Sequence, residues 1–414
     1  MILFELFADK DKYLNTIKEE WFMARDTFPD FFADISPDTK QHNKLYLNSA
    51  TDDFQKQIQS FPRLPIGRKK WKQKTLRLLS DVLYNETIIG LHHTMKPPVI
   101  DDFVEEIFEF MRQVRSFAPE LTFTDIGQAV RNYIVYAMFK KIHDETSGFN
   151  LAAFGYSMLY PFTDNYIDNT KCTPKEKQAY NRIIRDKLQG LPVHPENEYQ
   201  AKTCKLLQTI EAEYPKEKKT GANQLLLMML EAQEYSLRQQ SKELPLSMEQ
   251  RMDISVYKGG ISVLIDRFFV NKEIQEKDLI FYLGFGFFLQ LADDLQDIKE
   301  DSEQGHSTLF TMDLNNVHKE KVVNKLLHFL HQIMDDYEAD NDSFKNFILS
   351  ASYLLVFSSV AGSREFFSTE YLDRIENYLP IPSPALENYL HSQIETMDPK
   401  LQKKYLKILD VLVK

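Results

Sequence analysis

Apolar side chains recur at i, i+3, i+4 and i+7 along most of the chain, the period of one helix face, while runs that alternate apolar and polar as a strand does are scarce. The spacing predicts helices over Phe103–Val114, Ile126–Ile142, Leu151–Asn169, Gln224–Arg238, Met248–Phe269, Asp278–Asp301, Lys319–Tyr337, Phe344–Phe366 and Lys400–Val413. Breaks fall at Lys96-Pro97-Pro98, Pro192 to Pro195, Pro245 and Pro380 to Pro384, where proline removes a backbone donor. No fixed-period repeat and no long low-complexity linker divides the pattern. The expectation is an all-α protein: one large helical bundle over residues 99–414, preceded by a helical, aromatic-rich extension over residues 1–98.

Composition agrees with helices, since 13 glycines in 414 residues leave few positions for tight β-turns. With 50 basic against 61 acidic side chains the net charge is −11, which argues against a nucleic-acid partner. Cys172 and Cys204 are the two cysteines, too few and too far apart for a disulfide framework or a thiolate zinc site. The first residues are acidic as well as apolar and read as neither signal nor transit peptide, so a cytoplasmic protein is expected. The longest nearly apolar run, Leu279–Ala292, is shorter than the roughly 20 residues that span a bilayer and reads as a buried core helix rather than a transmembrane segment.

Two acidic clusters carry the candidate chemistry. In Asp293-Asp294-Leu295-Gln296-Asp297 and the following Asp301, steps of three and four bring carboxylates onto one helix face directly after the apolar run. Their mutual repulsion is relieved by a hard divalent cation, and Mg2+ suits a site that shares its coordination with phosphate oxygens. The pair Asp164 and Asp168 closes a second apolar stretch, Leu151–Tyr160, beyond a proline, Pro161, that is expected to kink the helix or start a new one. A solvated helix end is the competing reading of that pair. Two such ends suggest one diphosphate held from two sides.

The order Lys258-Gly259-Gly260, then Gly284 to Gln290, then Asp293-Asp294-Leu295-Gln296-Asp297, then Gly305-His306-Ser307-Thr308 resembles the class I isoprenoid synthases, best over Lys258–Thr311. In prenyl diphosphate synthases the last element is Gly-Lys-Ser-Thr-like, so His306 stands where they have lysine. Asp164 to Asp168 is only DxxxD and lacks the arginine pair of the elongating enzymes, which makes it similar to the first motif of squalene and phytoene synthases and of some bacterial cyclases. The Asn-Ser-Glu triad of the commoner cyclases is absent. The resemblance implies a bundle of the isoprenoid synthase type and a terpene synthase that ionises a prenyl diphosphate with Mg2+ and then cyclises or eliminates. Its alternative is a prenyltransferase, joining two prenyl diphosphates head to head or elongating one.

On this reading Asp164, Asp168, Asp293, Asp294 and Asp297 are the catalytic metal ligands. Lys258, Gln290 and His306 are expected at the substrate, with Arg185 and Arg364 as further cations for the diphosphate. An apolar, aromatic cavity is expected from Phe154, Tyr156, Tyr160, Phe281, Phe285 and Phe288. Counting back from Asp293 by helical steps puts Gly286 and Tyr282 on the pocket face. The basic run Arg63, Arg68, Lys69, Lys70, Lys72, Lys74 and Arg77 offers a peripheral contact with an anionic membrane. Oligomeric state is left open, a homodimer included.

Overall fold

The computed structural model describes residues 2–146, 148–167, 172–215, 221–240, 246–312, 315–386 and 399–414, and every regular element among them is helical. The N-terminal elements are α1 (Ile2–Ala8), α2 (Lys10–Met23), α3 (Pro37–Gln59), α4 (Arg68–Tyr84) and the single turn α5 (Leu91–Thr94). Next come α6 (Pro97–Phe117), α7 (Phe123–Ile142), α8 (Leu151–Ile167), α9 (Pro174–Gln189), α10 (Glu198–Glu213) and α11 (Ala222–Ser236). The C-terminal part holds α12 (Met248–Val270), α13 (Glu276–Gln296), α14 (Ile298–Gln304), α15 (Asn316–Asp335), α16 (Asp342–Gly362), α17 (Thr369–Glu376) and α18 (Pro399–Val413).

The centre of the bundle is the α12–α13 pair, joined by a short turn. Arg267 clamps that turn, donating to the carbonyls of Asn271 and Glu273 at 2.8 and 3.1 Å and to Asp278 at 2.8 Å. The ion pair is buried, and its remaining donors and acceptors are largely occupied, as a buried charge requires. Around the pair stand α2, α7, α8, α11, α15 and α16; α10 backs α8, and α6 backs α7.

Several sequence expectations need correction. Pro97 and Pro98 do not end an element but open α6, where a missing N–H costs nothing because the first turn has no intrahelical partner for it. Pro161 does not start a new helix but lies inside α8, and the hydroxyls of Tyr199 and Tyr180 donate to the neighbouring carbonyls of Pro161 and Phe162. The predicted helix through Asp301 breaks at Asp297, which ends α13 and starts α14. Residue 98 does not bound the core either. Tyr13, Leu14, Ile17 and Trp21 of α2 are buried, and the Trp21 ring meets Phe287 at 5.4 Å and Phe329 at 5.9 Å. Leu279–Ala292 is a buried core stretch as expected. The described helix long and apolar enough to cross a bilayer is α16, with 56% of its apolar window buried and its flanks against α13 and α15.

Candidate functional site

The close crossing of α12 and α13 builds the candidate site. A Cβ on Gly286 would stand 2.1 Å from the Gly259 carbonyl oxygen, and one on Gly259 would stand 2.8 Å from the Gln290 Cβ. Glycine at both positions lets the backbones touch. Lys258, the residue before Gly259, therefore faces Gln290, Asp293 and Asp294 across one cleft of about 750 Å3. Asp297, Asp301, His306 and Thr308 line it further on, with Lys177 and Gln239 opposite.

Backbone geometry folds the acidic strip into the cleft. The amides of Asp297 and Asp301 donate to the Asp293 and Asp297 carbonyls, each at 2.9 Å, so the chain keeps its helical bonds through the bend. Gly305 then turns back at φ +76°, and His306 returns to Asp301, with its amide on the Asp301 carbonyl at 2.8 Å and Nδ1 3.0 Å from the carboxylate. Arg251 donates to the Ser307 hydroxyl at 2.9 Å and steadies the same loop.

Burial sets the electrostatics. Asp294 is only 5% exposed; Gln290 donates to its Oδ1 at 2.9 Å, and its Oδ2 has no partner. Desolvation, reinforced by Asp293 and Asp301, pushes its pKa up to about 8. Asp297 rises to about 6, again through desolvation first and then through Asp293, Asp301 and Glu300. Asp293 is open to solvent yet lies in a cleft walled by protein, and that crowding raises its pKa while Lys258 and Arg131 pull it down. Asp301 is raised by burial and restrained by His306.

An apolar slot of about 50 Å3 adjoins this cleft. Leu159, Ile167, Ile184, Leu188, Leu207, Leu226, Met229 and Leu230 line it together with the phenols of Tyr156 and Tyr160. Thr163, Asp164 and Gln233 are its other polar groups. Gln233, on α11, lines the slot and the acidic cleft alike, so the two cavities meet at that side chain. Tyr156 and Tyr160 share a hydrogen bond of 3.1 Å, and Tyr156 also donates to the Ser262 carbonyl. Behind them Asp266 is buried with Oδ1 unpartnered, and desolvation pushes its pKa well up.

The predicted site residues divide into those the cleft gathers and those it does not. Asp293, Asp294, Asp297, Lys258, Gln290 and His306 share the cleft. Asp164 lines the slot instead, and Asp168 lies outside the described residues. Gly286 does not line the pocket; its face is filled by the Gly259 backbone. Tyr282 does not line it either, being fully buried with its hydroxyl 2.9 Å from His143 Nε2. Arg185 is paired with Glu234 at 2.5 Å, and Arg364 is on a short 3-10 turn that does not line the cleft. Of the expected cavity aromatics only Tyr156 and Tyr160 reach the slot. Phe154, Phe281, Phe285 and Phe288 pack in the core, Phe281 stacked on Tyr337 at 4.0 Å.

Sequence reasoning misses Arg131 on α7, whose charge lowers the pKa of both Asp293 and Asp297 and which pairs with no carboxylate among the described residues. One arginine on the polar side of an amphipathic helix carries no signal that separates it from a solvated one. Gln233 is equally silent.

The donor set suits a hard cation: carboxylate oxygens, one of them buried and unpartnered. Among the described residues no three acidic, histidine or cysteine side chains stand close enough together to hold an ion by themselves. No family model, curated protein or solved structure matches this chain.

Proposed function

We propose that the protein is a class I terpene synthase, with a bundle of the isoprenoid synthase type that ionises a prenyl diphosphate and directs cyclisation or elimination of the resulting cation. The observation that carries this reading is the junction at Gln233 between an acidic, cation-flanked cleft and an apolar aromatic slot. A substrate with a charged head and a hydrocarbon tail is the ligand class that two such compartments side by side would take.

Asp293, Asp294 and Asp297 would hold Mg2+, which when bound neutralises the diphosphate and makes it a leaving group. Lys258 and Arg131 supply protein charge toward the same oxygens. The C–O bond breaks with its electron pair going to the diphosphate, and the allylic cation is left in the slot. There the walls exclude water, and the ring faces of Tyr156 and Tyr160 stabilise positive charge. The slot is narrower than a prenyl chain, so binding requires flexible lining groups such as Met229 to swing aside.

The test is incubation with prenyl diphosphates of increasing length, with and without Mg2+, following diphosphate release and the mass of the organic extract. Release of diphosphate from one substrate without isopentenyl diphosphate, lost in chelator and reduced at least about 100-fold by Asp293→Ala, is expected. Turnover that persists in chelator, or that requires isopentenyl diphosphate, overturns it.

A further inference from the structure

Residues 61–80 carry seven basic side chains and no acidic one in a protein whose net charge is −11. None of the seven, Arg63, Arg68, Lys69, Lys70, Lys72, Lys74 and Arg77, forms an ion pair among the described residues. Lys69, Lys70, Lys74 and Arg77 are exposed, and at 100° per residue they occupy about 140° of the α4 circumference. The opposite side of the helix is anchored: Trp71 and Thr75 are buried against Gln57 of α3, with the indole N–H 2.8 Å from the Gln57 carbonyl.

The loop before α4 presents two apolar side chains beside these charges. Ile66 is 86% exposed and Leu64 68%, the two highest values among the exposed large apolar residues. The loop that carries them is braced from both ends. Phe61 meets Trp71 edge-on at 4.9 Å with Arg68 over its other side, Pro62 and Pro65 restrict the backbone, and the Arg68 amide donates to the Pro65 carbonyl at 3.1 Å. Gly67 takes φ +94°, which starts the helix directly under Ile66. Holding two large apolar groups in water is unfavourable unless something apolar receives them.

We propose that the Leu64–Ile66 loop and the basic face of α4 form a docking surface for an anionic lipid membrane, the two side chains inserting below the headgroups while the lysines and arginines meet them. Charge complementarity favours this occupant. A cationic rim around apolar tips matches a surface that is negative outside and apolar beneath, whereas a nucleic acid or an acidic peptide leaves Ile66 in water. The net negative charge of the rest of the molecule disfavours approach by acidic faces to the same leaflet. Since the main packing partners of α4 are α3, α5, α6 and α18, which do not line the cleft or slot, the surface does not rest on the terpene synthase reading.

The test is co-sedimentation of the full chain with vesicles of phosphatidylcholine alone and of phosphatidylcholine mixed with phosphatidylserine. Binding should require phosphatidylserine and fall as salt is raised. Leu64→Ser/Ile66→Ser should weaken it about tenfold or more, and each of Lys69→Gln, Lys70→Gln and Lys74→Gln by about fivefold, all with an unchanged melting temperature because the positions are exposed. Equal sedimentation with both vesicle types, or phosphatidylserine binding that the Leu64→Ser/Ile66→Ser protein retains in full, overturns the proposal. So does binding to a single-stranded RNA with no binding to either vesicle, which would make the face a polyanion surface.

Discussion

Asp294 shows how one side chain couples burial to chemistry. Its carboxyl is raised to about 8 in the folded chain against 3.8 for an ordinary aspartate, so the folded state holds a proton that the unfolded state has already lost. Stability from this group is complete below about pH 4 and is lost as pH climbs toward 8, and Asp297 adds a smaller window that closes near pH 6. In chelator the protein should therefore lose stability between pH 5 and 8, by at most about 1.4 kcal/mol per pH unit through buried Asp294 and by much less through Asp297, which is exposed and screened by solvent. Calorimetric melting over that range checks it, and Asp294→Asn should give a visibly flatter profile. A variant profile parallel to that of the natural chain would place the burden elsewhere. The Asp-Asp-x-x-Asp spacing was legible in the sequence, but not which carboxylate turns inward, because rotation of α13 about its axis is set by what packs on it.

At the scale of elements, the glycines of α12 and α13 decide where the functional groups stand. Mid-helix Gly286 costs about 1 kcal/mol of helix propensity relative to alanine, which marks it as special without saying why. Space for substrate and close helix packing predict opposite results. Packing is what the structure has, so Gly286→Ala should destabilise by roughly 3 kcal/mol or more, because its methyl meets the rigid Gly259 backbone rather than a movable side chain. Gly284→Ala is the control, since the nearest atoms to its added Cβ are side-chain carbons at 3.5 Å. Urea denaturation compares the two, and equal midpoints would sink the account. The same crossing carries Lys258 to the aspartates, so a shift there would also move the charges that line the cleft.

Over the whole molecule, the first two helices, α1 and α2, belong to the core. Trp21 is 1% exposed between Phe287 of α13 and Phe329 of α15, and Lys18 reaches Asp253 of α12 at 2.6 Å. Trp21→Ala should cost about 3–5 kcal/mol, measured by chemical denaturation, through lost burial and the cavity left between three helices. Removal of residues 1–23 should expose apolar surface on α12, α13 and α15 and yield an aggregating or protease-sensitive product. A soluble truncated chain with an unchanged melting temperature would restore residues 1–98 as a separable extension.

The sequence alone was enough for the all-helical class, for most helices from Ile126 onward, and for the acidic strip after a buried run. Each follows from local periodicity, capping and spacing, which a linear pattern records. Only the tertiary structure decided that α2 is core, that Gly286 faces Gly259, that Tyr282 points to His143, that Arg185 is taken by Glu234 and that Gln233 borders the site. Those facts concern which helices meet and at what rotation. They depend on contacts between residues far apart in the chain, and helical periodicity fixes a face without naming the partner that covers it.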